Sequence, residues 1–167
     1  MDKKTIMGAL IIILALFGIM WWGGKNTPAK GIDNESGKGS VSQLNVSEIS
    51  HDFGTISMAK GNVSKTFKVE NKSAEDVKIG KLYTSCMCTN AYIIGGTEKR
   101  GPFGMPGHGA VPSANELIKA GESREIEVVY DPAAHGPAGV GPVERSVYIE
   151  DSKGGSIELR ISAVVTP

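Results

Sequence analysis

The chain has 167 residues, 2 Cys, and 18 Lys+Arg against 18 Asp+Glu, a formal net charge of zero. At roughly 100–200 residues per domain this length holds one domain, and the balanced charge offers no basic field to nucleic acid. With 6% aromatic residues there is no surface for stacking RNA bases, and two cysteines cannot make the disulfide framework of small secreted folds.

The first predicted element is an apolar run from Thr5 to Trp22 without a charged residue. As a helix it is about 27 Å long, close to the hydrocarbon thickness of a bilayer. Trp21 and Trp22 end it where aromatic rings favour the headgroup boundary, and Lys3 and Lys4 precede it. That placement predicts a single-pass signal anchor over residues 1–22, with a cytoplasmic N-terminus and everything beyond it periplasmic or extracellular. A cleaved signal peptide is the competing reading, but it has a shorter apolar core and a small-residue exit, which Met20-Trp21-Trp22 does not supply. Residues 23–43 are rich in Gly, Ser, Lys and Asn and have little to bury, so a flexible linker is expected there.

From residue 44 to 167 the hydrophobic period is that of strands. Segments are expected at Val46–Ile49, His51–Ile56, Val63–Glu70, Val77–Tyr83, Ala91–Ile94, Arg124–Tyr130, Val143–Glu150 and Ile157–Val165. Asn71-Lys-Ser-Ala, Asp131-Pro132 and Asp151-Ser-Lys-Gly-Gly155 provide turns between them. Only Ser113–Lys119 suggests a helical turn or two, through a capping-box spacing of Ser113 and Glu116. Roughly seven to eight short antiparallel strands with no helical stripe predict an all-β, two-sheet sandwich.

Three pieces of this domain carry a family likeness: His51-Asp-Phe-Gly-Thr-Ile56, Thr84-Ser-Cys86-Met-Cys88-Thr89, and Ala120-Gly-Glu-Ser123 ahead of a strand ending Asp131-Pro132. Their order and spacing resembles the bacterial domain-of-unknown-function family 1573. The resemblance implies an immunoglobulin-like antiparallel sandwich related to the ASPM–SPD-2–Hydin and major-sperm-protein group, and an envelope location. It implies no activity. Where the family has Gly between its cysteines this chain has Met87, and it inserts a Gly/Pro-rich segment at 95–119 that the family pattern does not cover.

Cys86 and Cys88 are the first candidates for chemistry. At i and i+2 of an extended segment both side chains leave one face. Two adjacent thiolates chelate a soft metal such as Cu(I), or Zn(II). Joined to each other they close a small, labile disulfide ring, and a third reading makes them small buried residues. The loop Gly101–Gly109 adds Met105 and His108, and the loop His135–Pro142 adds His135. Donors on loops held by a rigid sandwich are where binding sites form, so Cys86, Cys88, His108, His135 and Met105 make up the candidate metal set. His51, on the opening strand, reads as structural, and Met58 carries little weight.

No Gly-x-Ser-x-Gly elbow, His-Glu-x-x-His pair, Walker loop or dinucleotide fingerprint is present, so no enzyme activity is expected. The leading expectation is a membrane-anchored envelope domain, non-enzymatic, binding one copper ion, with zinc as the alternative metal. The alternative function is a scaffold or adhesion sandwich for an envelope protein partner, its cysteines structural or joined in a labile disulfide.

Overall fold

Apolar–polar alternation turns into strands wherever one face can be buried against a second sheet. The computed structural model describes residues 40–109 and 111–167. The apolar run at 5–22 and most of the linker lie outside them; among the described residues no helix is long and apolar enough to cross a membrane. The strands in chain order are β1 (Ser40–Val41), β2 (Leu44–Val46), β3 (Ser50–Ser57), β4 (Val63–Asn71) and β5 (Val77–Thr84). They continue with β6 (Thr89–Gly95), β7 (Glu98–Phe103), β8 (Glu116–Ile118), β9 (Ser123–Tyr130), β10 (Gly141–Asp151) and β11 (Gly155–Thr166). One sheet has the order β1-β11-β10-β5-β8 with β3 also on β11, and the other runs β2-β4-β9-β6-β7.

The buried faces follow the sequence pattern. Phe67 and Val69 of β4, Ile126, Val128 and Tyr130 of β9, and Leu159, Ile161 and Val165 of β11 meet in the core. Each such side chain removed from water contributes about 1.5–3 kcal/mol. In β5 the inward series Val77, Ile79 shifts to Leu82, a break in strict alternation. The register with β10 slips between Glu150 and Asp151, opposite Gly80, and this bulge returns Leu82 to the core.

Two expectations need correction. The sandwich is mixed rather than wholly antiparallel, because β1 and β3 both pair with β11 in parallel. The chain reaches β3 by leaving β2 in the opposite sheet, so it arrives at β11 running in the same direction; the Arg160 amide donates to the Ile49 carbonyl at that crossing, 2.8 Å. The segment 95–119 is not simply a loop, and Ser113–Lys119 forms no helical turn. It contributes β7 on β6 and β8 on β5. A one-turn helix is too short to stand alone, whereas Phe103, Ala114 and Ile118 are all buried once the segment covers the sandwich edge. Glu116 of β8 then pairs with Arg124 of β9 at 2.5 Å and with Arg100 of β7, tying one sheet to the other.

At the β10–β11 turn, Asp151 is 7% exposed and both of its oxygens are used. Oδ2 accepts from the Ser42 hydroxyl at 2.6 Å; Oδ1 accepts from the Lys153 and Gly155 amides at 2.9 and 2.8 Å. A Cβ on Gly155 would lie 2.5 Å from Ser42 Cα, so only glycine lets the incoming chain approach this closely.

Candidate functional site

The connection from β5 to β6, residues 85–88, crosses from one sheet to the other at an end of the sandwich. The two cysteines stand in this crossover, and it is a turn rather than the extended segment expected. The Thr89 amide donates to the Cys86 carbonyl at 3.1 Å, and the two Cα atoms are 5.3 Å apart, closer than the ~6.6 Å of alternate residues on a strand. The sulfurs meet because the chain folds back, not because they share a sheet face.

Hydrogen bonds from several elements fix the turn. The Thr84 hydroxyl lies 3.0 Å from the Cys86 carbonyl and 3.0 Å from that of Thr89. The Ser85 amide donates to the Ser146 carbonyl and the Ser146 amide donates to the Ser85 hydroxyl, each at 2.9 Å, stitching the crossover to β10. On the other side the Asp131 amide donates to the Cys88 carbonyl at 2.9 Å, where β9 ends.

Beyond Asp131 the chain winds through short turns, its carboxylate accepting from the Ala133 amide at 2.8 Å, to His135 at the head of a 3-10 turn over Gly136–Gly139. This brings His135 Nε2 to 3.2 Å from Cys86 Sγ. Cys86, Cys88 and His135 each offer one ligand atom, and these atoms lie within 4.8 Å of one another. The two sulfurs are disulfide-bonded. Cys86 is half-buried and His135 exposed, but Cys88 is only 1% exposed.

His108, on the loop it shares with Met105, does not join this three-residue group. Their loop closes on itself, the His108 amide donating to the Met105 carbonyl at 3.2 Å, and His108 faces solvent. The loop does start near the crossover, since the Thr84 amide donates to the Gly104 carbonyl at 3.1 Å. His51 packs its ring edge-on to Phe53, centroids 4.8 Å apart, with Nδ1 3.6 Å from the Glu48 carboxylate.

Two residues of this neighbourhood are not singled out by the sequence. Arg145 Nε of β10 donates to Cys88 Sγ at 3.1 Å, with Nη1 held by the Glu144 carbonyl at 2.7 Å. The Arg145 charge also opposes the burial that pushes the Tyr130 phenol up. Met58 brings its methyl to the backbone of the His135 turn, 3.4 Å from where a Gly139 Cβ would stand, with His135 Cβ at 3.3 Å from the same point. An arginine in an alternating strand and a methionine in a turn carry no sequence signal for either position.

Chemically, the arrangement sets the sulfur of half-buried Cys86 beside an imidazole and that of buried Cys88 beside a guanidinium. Oxidised, both sulfurs are committed to each other; reduced, they are thiolate donors with His135 as a third ligand.

Residues 44–101 match the model of a family described as "Protein of unknown function (DUF1573)". The resemblance in the motifs is to this family: the match takes in His51–Ile56 and Cys86–Thr89 and ends ahead of Ala120–Ser123. No curated protein sequence matches the chain significantly. Among solved structures, it is similar to a protein of unknown function from Porphyromonas gingivalis W83, at 12% identity and a TM-score of 0.53. That likeness covers 72% of this chain and 46% of the other, so the chain spans under half of that protein's length. It is also similar to the human ASH/PapD-like domain 7 of CEP192, at 15% identity, TM-score 0.44, over 75% of this chain and 87% of that one. The YadV chaperone shares 9% identity at a TM-score of 0.45, over 75% and 53% of the two chains. At 12% identity the likeness to the Porphyromonas gingivalis protein is one of fold alone.

Proposed function

Taking residues 44–101 as the DUF1573 stretch of an immunoglobulin-like sandwich, we propose that the chain is a binding module of a bacterial envelope. The sandwich is a scaffold for a protein partner, and the Cys86–Cys88 pair is its labile disulfide. One observation supports this most: the two sulfurs are in bonding contact within a turn at an end of the sandwich, with Met87 between them 52% exposed. Cysteines one residue apart close a small ring, and bonds of this kind lie at the readily reduced end of the range. The segment 5–22 would anchor the module in the membrane, with residues 44–167 on the periplasmic or extracellular side.

A second reading rests on the 4.8 Å grouping of Cys86, Cys88 and His135. In the reduced chain these donors suit one copper ion, or zinc, at metal–ligand distances of roughly 2.0–2.3 Å. The two readings exclude each other at any moment, because a disulfide leaves no thiolate to coordinate.

Intact mass of the full chain, purified aerobically in detergent, separates them. The disulfide reading expects a gain of two hydrogens on mild reduction; recovery of free thiols only would overturn it. Copper retained by anaerobically reduced chain, and lost from Cys86→Ser/Cys88→Ser, would establish the metal reading instead.

A further inference from the structure

Deepening the labile-disulfide reading, and resting on it, we propose that the two sulfurs have fixed and unequal roles: Cys86 is the atom that an incoming thiolate attacks, and Cys88 is the leaving thiolate that Arg145 receives. Thiol–disulfide exchange needs an approach in line with one sulfur and a stable departure for the other. The fold provides each at a different atom.

Cys86 is the half-buried sulfur, beside the exposed His135, whereas Cys88 is 1% exposed beneath the turn. Of the two residues, only Cys86 has surface open to an incoming sulfur. Negative charge on Cys88 Sγ would be costly in that buried setting without a partner, and Arg145 Nε is 3.1 Å away. The guanidinium does not need to be recruited: its Nη1 is already bonded to the Glu144 carbonyl, on a strand paired on both sides by β5 and β11. A fixed cation beside a sulfur lowers the thiol pKa and with it the barrier to leaving.

The thiolate of the incoming thiol bonds to Cys86 Sγ while the Cys86–Cys88 bond breaks, and that bond's electron pair moves to Cys88 Sγ, opposite Arg145. The incoming sulfur is oxidised to a mixed disulfide with Cys86, and Cys88 is reduced. A second thiolate then attacks the incoming sulfur and releases Cys86. Two substrate thiols thereby become one disulfide, and their two electrons and two protons pass to the cysteine pair. The co-reactant is a thiol, from a small molecule or from a protein cysteine. Met87 and Val140, 52% and 46% exposed on the two loops that hold the site, favour a cysteine with apolar neighbours.

The test uses the full chain in detergent, with folding checked by circular dichroism. In Cys88→Ser, oxidised glutathione is expected to form a mixed disulfide at Cys86 at least tenfold faster than at Cys88 in Cys86→Ser; Cys88→Ala serves if the serine disturbs the fold. Equal rates would overturn the assignment of the attacked sulfur. Equilibrated in a glutathione buffer, Arg145→Met is expected to hold the disulfide about tenfold more strongly than the wild type, the counterpart of about one pKa unit. Arg145→Lys should recover part of that shift, and an unchanged equilibrium in Arg145→Met would remove the role given to Arg145. A reduced peptide with an apolar-flanked cysteine is the second arm. If it reacts faster than glutathione, and Met87→Ser removes the advantage, the thiol belongs to a protein; equal rates in both arms assign it to small thiols. Should the wild type contain no disulfide, the parent reading fails, while the rates in the single variants still report which sulfur is accessible.

Discussion

The turn that carries Asp151 and the crossover that carries Cys86 are built from the same materials and end in opposite conditions. Both reverse the chain where strands end, and both are held by side-chain oxygens bonded to nearby backbone. At Asp151 every polar atom is used up internally: two amides and one hydroxyl satisfy both carboxylate oxygens out of reach of solvent. In the crossover Thr84 and Ser85 do most of that work, with Cys86 Sγ also accepting from the Cys88 amide at 3.4 Å, and the sulfurs still face His135 and Arg145. Stability and chemistry are separated here by which residue supplies the hydrogen bonds.

Substitutions sharpen or break this contrast. The largest effect is expected from Gly155→Ala, whose new methyl would press on Ser42 and the Asp151 carboxylate; overpacking at so confined a point should cost about 3 kcal/mol in urea unfolding. A loss under about 1 kcal/mol would show that the Asp151 turn is no more rigid than the crossover. Removing the disulfide with Cys86→Ser/Cys88→Ser should cost less, under about 2 kcal/mol, because so short a loop gives up little chain entropy when opened. A larger loss would mean the sulfurs, like Asp151, hold the fold together.

The smallest effect belongs to Glu150, one residue before Asp151 but on the outer face. The Lys81 ammonium, then the Tyr83 hydroxyl, hold its carboxyl below the usual range, at 2.9 and 2.8 Å. A carboxyl lowered in the folded state adds stability above its unfolded pKa and loses it as pH falls through the folded one. Glu150→Gln should therefore cost about 0.5 kcal/mol at neutral pH, as exposed pairs do. Its stability should also fall less steeply than the wild type's below about pH 4.5. Parallel acid titrations of the two chains check both. Burial, and then the Glu150 carboxylate, push the Tyr83 phenol up to about 12.

Much of the architecture could be read from residue order, because alternation in segments such as Ile157–Val165 requires a strand with one buried face. The edges could not. Nothing in Glu116-Leu117-Ile118 says that it will complete the edge beside Val77–Ile79, since that pairing depends on a partner 39 residues away in sequence. The parallel docking of β3 is equally non-local. For the site, a Cys-x-Cys spacing was enough to single out the sulfurs and a glycine-rich loop enough to single out His135. It also suggested His108, whose loop looks alike in composition but closes on itself. Arg145 was beyond reach: in sequence it is one polar residue of an alternating strand, and only the pairing of β10 with β5 sets it against Cys88.

The Thr84 hydroxyl, bridging two carbonyls at the mouth of the crossover, has a last implication. That clasp is made by oxygen, so it does not depend on the oxidation state of the sulfurs. On the labile-disulfide proposal, the bend keeps this anchor when the S–S bond opens, and circular dichroism spectra before and after reduction should superimpose.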